Sequence, residues 1–262
     1  MQTILFIPAR YASTRYPGKP LARLRQPGGG EKTLIEMSWE AASRVPGIDA
    51  IYVATDDDRI ADTARGFGAE VVMTSEACEN GTARCGDALD RLGIAPDLVV
   101  NFQGDAPLTP PWFVEELVAA MRGDPSIGMA TPVLRCDRQT YENFIEDRRN
   151  GRVGGTTAVF DRHRNALYFS KEVIPYVDPG KLPDPIPVFH HVGIYAYRPA
   201  ALRDYIAAGP CQLELLEGLE QMRFLYNGTP VRCVEVEARG RLFWELNNPN
   251  DIGRIETALG AK

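Results

Sequence analysis

Histidine is scarce in this chain of 262 residues: only three are present, at 163, 190 and 191. That disfavours a metal centre built on imidazole, so any metal used would be a hard cation held by oxygen. Cysteine is little better represented. The five residues, at 78, 85, 136, 211 and 233, are odd in number, scattered and never spaced C-x-x-C. This disfavours a zinc site and fits reduced thiols in a cytoplasmic protein. Long apolar runs are missing, and no stretch approaches the roughly 18 residues of a membrane span. The opening MQTILFIPAR has no basic start and no small-residue cleavage site, so it does not read as a signal peptide. A basic excess is absent too. With 29 Lys and Arg against 35 Asp and Glu, a net charge of -6 argues against a protein that coats DNA or RNA. The average conceals an asymmetry, because residues 1–30 hold five basic residues and no acid. That local excess suits a nucleotide rather than a polymer.

What is present reads as an α/β protein. Thr3 to Ile7, Ile51 to Ala54, Glu70 to Met73 and Leu98 to Phe102 are short apolar runs of the kind found in strands covered on both faces. Residues 57–68 place Ile60, Ala61, Ala64 and Phe67 at helical spacing before Gly68, and residues 110–122 begin with Pro and carry an apolar stripe. Strand, helix and strand at this spacing predict right-handed crossovers and a mostly parallel central sheet with helices on both faces. The second half is less regular. Strands are expected at 158–160, 166–169, 192–197 and 231–236, a single helix over 213–226, and a last helix from about Pro249 to Leu259. The proline-rich stretch from Pro175 to Pro187 reads as a surface excursion. The whole is expected to be one domain, 1–262, with a smaller inserted lobe, its first half running over about 1–135 and its second over about 136–262.

The segment after the first strand carries the most chemistry: Pro8, Ala9, Arg10, Tyr11, Ala12, Ser13, Thr14, Arg15, Tyr16, Pro17, Gly18, Lys19, Pro20, Leu21. In α/β sheets, ligands gather beyond the carboxyl ends of strands. Three cations, hydroxyls and small residues at that place suit phosphate oxygens, with Arg supplying bidentate contacts and Lys a mobile charge. The plain alternative is a solvated basic loop. It is not a P-loop, since G-x-x-x-x-G-K-[ST] is absent.

This segment resembles the signature loop of the sugar-activating cytidylyltransferases, and most closely that of the 3-deoxy-manno-octulosonate cytidylyltransferase (CMP-Kdo synthetase) family. The resemblance continues at Ala54-Thr55-Asp56, Met73-Thr74, Gly81-Thr82-x-Arg84, Gln103-Gly104-Asp105-x-Pro107 and Gly128-Met129-Ala130-Thr131. It reaches the second half at Ala166 to Ser170, at His191-x-Gly193-Ile194-Tyr195-x-Tyr197 and at Leu219-Glu220-Gln221-x-Arg223. It implies a Rossmann-like nucleotidyltransferase fold and a Mg2+-assisted transfer of CMP from CTP to a 2-keto acid sugar, with release of pyrophosphate. By position it implies that Arg10, Arg15 and Lys19 grip the triphosphate. Pro8, Ala9, Ser13, Thr82, Arg84 and Gln103 would surround the nucleotide, Gln103 also facing the sugar. Asp105 would hold Mg2+, its plainer reading being a cap on the next turn. His191, Tyr195, Glu220 and Gln221 would line the sugar pocket; a packed core histidine and a solvated helix face are the alternatives there. A cytoplasmic homodimer serving lipopolysaccharide biosynthesis, with no nucleic-acid or membrane partner, completes what the family implies.

Two departures from the family pattern stand out. Asn247 takes the place of a second metal-binding carboxylate, offering a neutral amide oxygen instead. Lys171 follows Phe169-Ser170 where Arg is usual at a site associated with the sugar acid, and this exchange is not conservative at a bidentate contact. The loop after Leu21 and the run from Arg239 to Trp244 also differ. The expectation is that CTP use is retained while the acceptor is Kdo, an amino-substituted Kdo or another nonulosonic acid. A catalytically impaired CTP-binding relative is the alternative.

Overall fold

The first apolar run becomes β1 (Thr3–Ala9) in the computed structural model of the chain, which describes residues 1–12, 16–153, 155–241, 243–246, 248–249 and 251–261. Ile4, Leu5, Phe6 and Ile7 are at most 1% exposed, as a strand covered on both faces requires. The chain divides into two units, one made of Met1–Glu115 with Ala238–Lys262 and the other of Glu116–Glu237.

In the first unit β1 is followed by β2 (Arg23–Arg25), β3 (Glu31–Thr33), α1 (Leu34–Ser43), β4 (Ala50–Thr55), α2 (Asp58–Gly66), β5 (Glu70–Met73), α3 (Gly81–Leu92) and β6 (Leu98–Phe102). Four of these strands run parallel in the order β5-β4-β1-β6, with Ile4 opposite both Ala50 and Val99. Parallel strands need a crossover between them, and each crossover helix starts at a side-chain cap. Thr33 accepts from the Glu36 N–H, Asp57 from those of Arg59 and Ile60, and Asn80 from that of Ala83. The carboxyl ends of β1, β4, β5 and β6 therefore open on one edge of this sheet, and the motif residues follow directly from them.

The lengthened loop after Leu21 is a β2–β3 hairpin, paired from Arg23↔Thr33 to Arg25↔Glu31. Its Leu24 is fully buried with Leu34, Met37, Leu246 and Ile255. Arg25 grips Glu256 through both Nε (2.9 Å) and Nη2 (2.6 Å). The insertion thus fastens the returning carboxyl-terminal segment to its own unit.

After α4 (Pro111–Gly123), the second unit contains β7 (Met129–Arg135), α5 (Arg138–Arg149), β8 (Thr156–Phe160), β9 (Ala166–Ser170), β10 (Phe189–His191), β11 (Ile194–Tyr197), α6 (Pro199–Ala208), α7 (Gln212–Glu217), α8 (Met222–Tyr226) and β12 (Val231–Val236). Here β7 is central, antiparallel to β10 and β11 and parallel to β12, and β8 and β9 extend the sheet beyond β10 in antiparallel pairing. The chain then returns to the first unit through α9 (Asp251–Leu259). The mostly parallel sheet expected from the strand–helix alternation is thus the first unit's, and the second unit's pairing is largely antiparallel.

Three expectations need correction. The helix anticipated over 213–226 is two short helices, because Gly218 adopts the left-handed conformation at φ 60° and ends α7. The strand anticipated over 192–197 starts later, at Ile194, since the chain turns at Val192, whose carbonyl accepts the Ile194 N–H at 2.7 Å, and a separate strand, β10, ends just before it at His191. The last helix begins at Asp251 rather than at Pro249.

Candidate active site

Beyond β1, the backbone is folded back on itself: the Gly18 N–H donates to the Tyr11 carbonyl at 2.9 Å. Gly18 has φ +68°, and a Cβ on it would lie 3.0 Å from the Tyr11 ring. On Tyr11 also rests the Arg59 guanidinium, 3.4 Å from the ring centroid. Arg59 donates to Asp57 through Nε and Nη2, one edge of its guanidinium, and that side-chain hydrogen bond in turn keeps the Asp57 carboxyl below the usual carboxylate range. The loop is therefore anchored to the start of α2 as well as to β1. Arg10 is exposed, its guanidinium donating to the Glu79 carbonyl at 3.3 Å. Ser13 and Arg15 lie outside the described residues.

Lys19 opens a short turn of 3-10 helix, Lys19–Leu21, and its Nζ lies 2.6 Å from Asp105 Oδ2. Both side chains are only partly covered, at 18% and 19% exposure. Asp105 follows β6, and its carbonyl accepts the Leu246 N–H at 2.8 Å. Gly104 is required by crowding, since a Cβ there would lie 3.1 Å from the Pro8 carbonyl oxygen. Gly81, at the start of α3, is similarly hemmed in by Asn101, Gln103 and Pro8, each 3.3 Å from where its Cβ would stand. Pro8, Gln103 and the amino terminus of α3 thus converge. Thr82 and Arg84 are buried, and the Arg84 guanidinium donates to Asp56 Oδ2 at 3.1 Å and to Thr74 Oγ1, tying the ends of β4 and β5 together. Asp56 Oδ1 is buried without a hydrogen bond.

Among the described residues, no three His, Cys, Asp or Glu side chains form a metal cage. Asp105 offers one hard carboxylate. Mg2+ is commonly held by one or two carboxylates plus the phosphates of a substrate, so this donor set fits a cation that arrives with a triphosphate. Asn247 lies outside the described residues.

The remaining candidates belong to the second unit. His191, Tyr195 and Gln221 are all buried, and they hydrogen-bond one another: Tyr195 donates its OH to Gln221 Oε1 at 3.2 Å, and Gln221 Nε2 lies 3.4 Å from His191 Nδ1. Burial pushes the His191 imidazole down to about 3, with His190 adding to the effect. His191 is accordingly held as the neutral imidazole at physiological pH. Glu220 is half-buried in the turn between α7 and α8. The Lys171 N–H donates to Glu217 Oε2 at 3.0 Å, while its Nζ stands 2.7 Å from the place a Cβ on Gly218 would take. Arg148, which the sequence did not single out, donates to the carbonyls of Lys171 and Gly155 and so holds the ends of β9 and β8 in place. Tyr11, Arg59 and Thr131 were likewise given no role. Nothing local marks Arg59 or Arg148, and Thr131 carried only its place in Gly128-Met129-Ala130-Thr131.

Residues 4–235 match the profile of the family described as cytidylyltransferase. The chain belongs to the cytidylyltransferase family. It is 44% identical over 263 residues to a 3-deoxy-manno-octulosonate cytidylyltransferase from Maricaulis maris, covering 100% of this chain and 98% of the relative. It is 41% identical over 261 residues to an 8-amino-3,8-dideoxy-manno-octulosonate cytidylyltransferase from Shewanella piezotolerans, covering 99% of each. A solved structure of CMP:2-keto-3-deoxy-manno-octonic acid synthetase complexed with CTP matches with a TM-score of 0.84 and 30% identity, over 99% of both chains. This cytidylyltransferase is accordingly a CTP-dependent nucleotidyltransferase of the fold that the opening motif implied. No helix among its described residues is long and apolar enough to cross a membrane.

Proposed function

We propose that this cytidylyltransferase transfers CMP from CTP to the anomeric hydroxyl of a Kdo-type 2-keto-3-deoxy acid sugar, with Mg2+ as cofactor and pyrophosphate as the second product. The observation that carries the reading is the contact between Lys19 and Asp105, which puts the phosphate-loop cation and the carboxylate after β6 at one point. A triphosphate offers Lys19 more negative charge than one carboxylate does, and its arrival frees Asp105 for the accompanying cation. Arg10, exposed and donating to the Glu79 carbonyl, and Arg15 add positive charge for the leaving pyrophosphate. When bound, Mg2+ would neutralise phosphate charge and lower the pKa of the attacking hydroxyl. Pro8, Ala9, Ser13, Thr82, Arg84 and Gln103 shape the nucleotide's surroundings, Arg84 and Thr82 from within the fold.

In the second unit the acid sugar is assigned to Lys171, His191, Tyr195, Glu220 and Gln221. The Lys171 ammonium makes no ion pair among the described residues and is available to a carboxylate. A second reading takes the 8-amino sugar as acceptor; Lys171 in place of the usual Arg, and relatives named for both sugars, favour testing it directly. Exposed Leu215, Leu216 and Tyr226 support a homodimer, and a cytoplasmic role in lipopolysaccharide biosynthesis follows from the sugar.

Purified enzyme with CTP, Mg2+ and either 3-deoxy-manno-octulosonate or its 8-amino-3,8-dideoxy counterpart is expected to release pyrophosphate. Release should need all three components and fall at least about a hundredfold when ATP, GTP or UTP replaces CTP. Absence of release with both sugars overturns the proposal. Gly18→Ala is expected to raise KM for CTP by about tenfold, because forcing a side chain to φ +68° costs about 1–2 kcal/mol and displaces Tyr11. Steady-state kinetics with varied CTP checks this; an unchanged KM would show that the loop geometry does not serve the nucleotide.

A further inference from the structure

Thr131 lies fully buried in β7, and its hydroxyl oxygen has three polar neighbours. Two are carbonyls, of Ile194 at 2.9 Å and Val192 at 3.1 Å, and the third is His191 Nε2 at 3.1 Å. A hydroxyl carries one proton, and carbonyl oxygens only accept. The Thr131 proton is assigned to the nearer carbonyl, that of Ile194, since the Val192 carbonyl already accepts the Ile194 N–H, and what remains for His191 is a lone pair. Nε2 must carry the imidazole proton and donate it to Thr131. His191 is neutral in this buried place, so its Nδ1 is a bare acceptor. Its neighbours there are both able to donate: Thr156 Oγ1 at 3.1 Å and Gln221 Nε2 at 3.4 Å. With its amide nitrogen turned to His191, Gln221 presents Oε1 to the Tyr195 hydroxyl. The hydrogen-bond directions in the set thus follow from the Ile194 carbonyl that claims the Thr131 proton. The opposite tautomer would draw that proton away from the Ile194 carbonyl and would set Nδ1–H against the Gln221 amide N–H2.

We propose that Thr131 is a positioning residue for the acceptor: by holding His191 as the Nε2–H tautomer, it fixes which way the Gln221 amide and the Tyr195 hydroxyl point. The proposal rests on the reading that Gln221, His191 and Tyr195 serve the acid sugar. A glutamine amide has nearly the same shape either way round, so steric packing alone does not choose its orientation. A neutral histidine of fixed tautomer does.

The test combines spectroscopy with kinetics on the intact enzyme. Long-range proton–nitrogen NMR of 15N-histidine-labelled protein, with the His191 signals identified by their loss in His191→Gln, is expected to show the Nε2–H tautomer. Thr131→Val, which keeps the shape but neither donates nor accepts, is expected to lose that pattern. It should also raise KM for the acid sugar by about tenfold with KM for CTP unchanged, the size of one lost positioned hydrogen bond. Thr131→Ser, which retains the hydroxyl, should restore both and keeps the test decisive if the valine variant does not fold. A wild-type His191 found as the Nδ1–H tautomer overturns the proposal, as does a valine variant with wild-type spectrum and wild-type sugar KM. A wild-type enzyme with the expected spectrum that turns over no acid sugar overturns the acceptor role instead, and the spectra separate that failure from the first.

Discussion

Asp105→Asn is expected to lower kcat by about 10²–10³ while leaving the fold intact. The carboxylate has two tasks that an amide performs poorly. It is the partner of Lys19 at 2.6 Å, and it is the hard oxygen donor proposed for Mg2+. Charge stabilisation of this kind contributes several kcal/mol in a partly desolvated site, and each 1.36 kcal/mol is about tenfold in rate. Asn keeps the size and one carbonyl oxygen but loses the charge, so β6 and the Leu246 N–H bond to the residue 105 carbonyl should persist. Because Lys19 would then lack its carboxylate, the CTP complex should not weaken in proportion, and the loss should fall on kcat rather than on KM for CTP. Lys19→Ala is the complementary case, expected to raise KM for CTP as well as lower kcat. Pyrophosphate-release kinetics at varied CTP, with Mn2+ titration of the CTP-bound enzyme as a second readout, would check both. An Asp105→Asn enzyme with near-wild-type kcat and Mn2+ affinity would remove Asp105 from the proposed metal role.

The parallel half of the fold was legible because β1 and β6 are almost wholly buried, and because β1, β4, β5 and β6 all show up as short, mostly apolar runs. By contrast, α3 was hidden: its buried side includes Thr82 and Arg84, polar residues that interrupt the apolar stripe and are tolerated only because Arg84 pairs with Asp56 and Thr74. The break at Gly218 was equally hidden, since a glycine inside a periodic pattern does not announce whether it will take a left-handed conformation. In the site, the cationic character of the segment after β1 was visible as composition. That Lys19 meets Asp105 was not, because the contact depends on β1 and β6 lying side by side. The Thr131–His191–Gln221 set joins residues far apart in sequence: the pairing of β10 with β7 brings Thr131 and His191 together, Gln221 comes from the start of α8, and no local pattern encodes the set.

Glu214→Gln is expected to destabilise the second unit by about 3–5 kcal/mol, the range found when one partner of a buried ion pair is removed. Arg223 grips Glu214 from two positions, Nε to Oε2 at 2.6 Å and Nη2 to Oε1 at 2.8 Å, and both side chains are under 10% exposed. Tyr205 donates its OH to the same carboxylate at 3.2 Å, and the guanidinium lies 4.1 Å from the Tyr205 ring centroid. Glutamine would leave the buried Arg223 charge without the carboxylate that now faces it, beside the Tyr205 carbonyl and ring. At about 2–4 °C per kcal/mol for a chain of this size, the melting temperature should fall by about 6–20 °C. The pair also straddles the turn that carries Glu220 and Gln221, with Glu214 in α7 before it and Arg223 in α8 after it. Loosening that turn should raise KM for the acid sugar more than KM for CTP. The cause is separable by a double variant, Glu214→Leu with Arg223→Met. If the penalty of the single change is an uncompensated charge, removing both charges should recover most of the lost stability. If the penalty is lost packing and helix closure, the double variant should melt below the single one, and the ion pair would then hold the turn by shape rather than by charge.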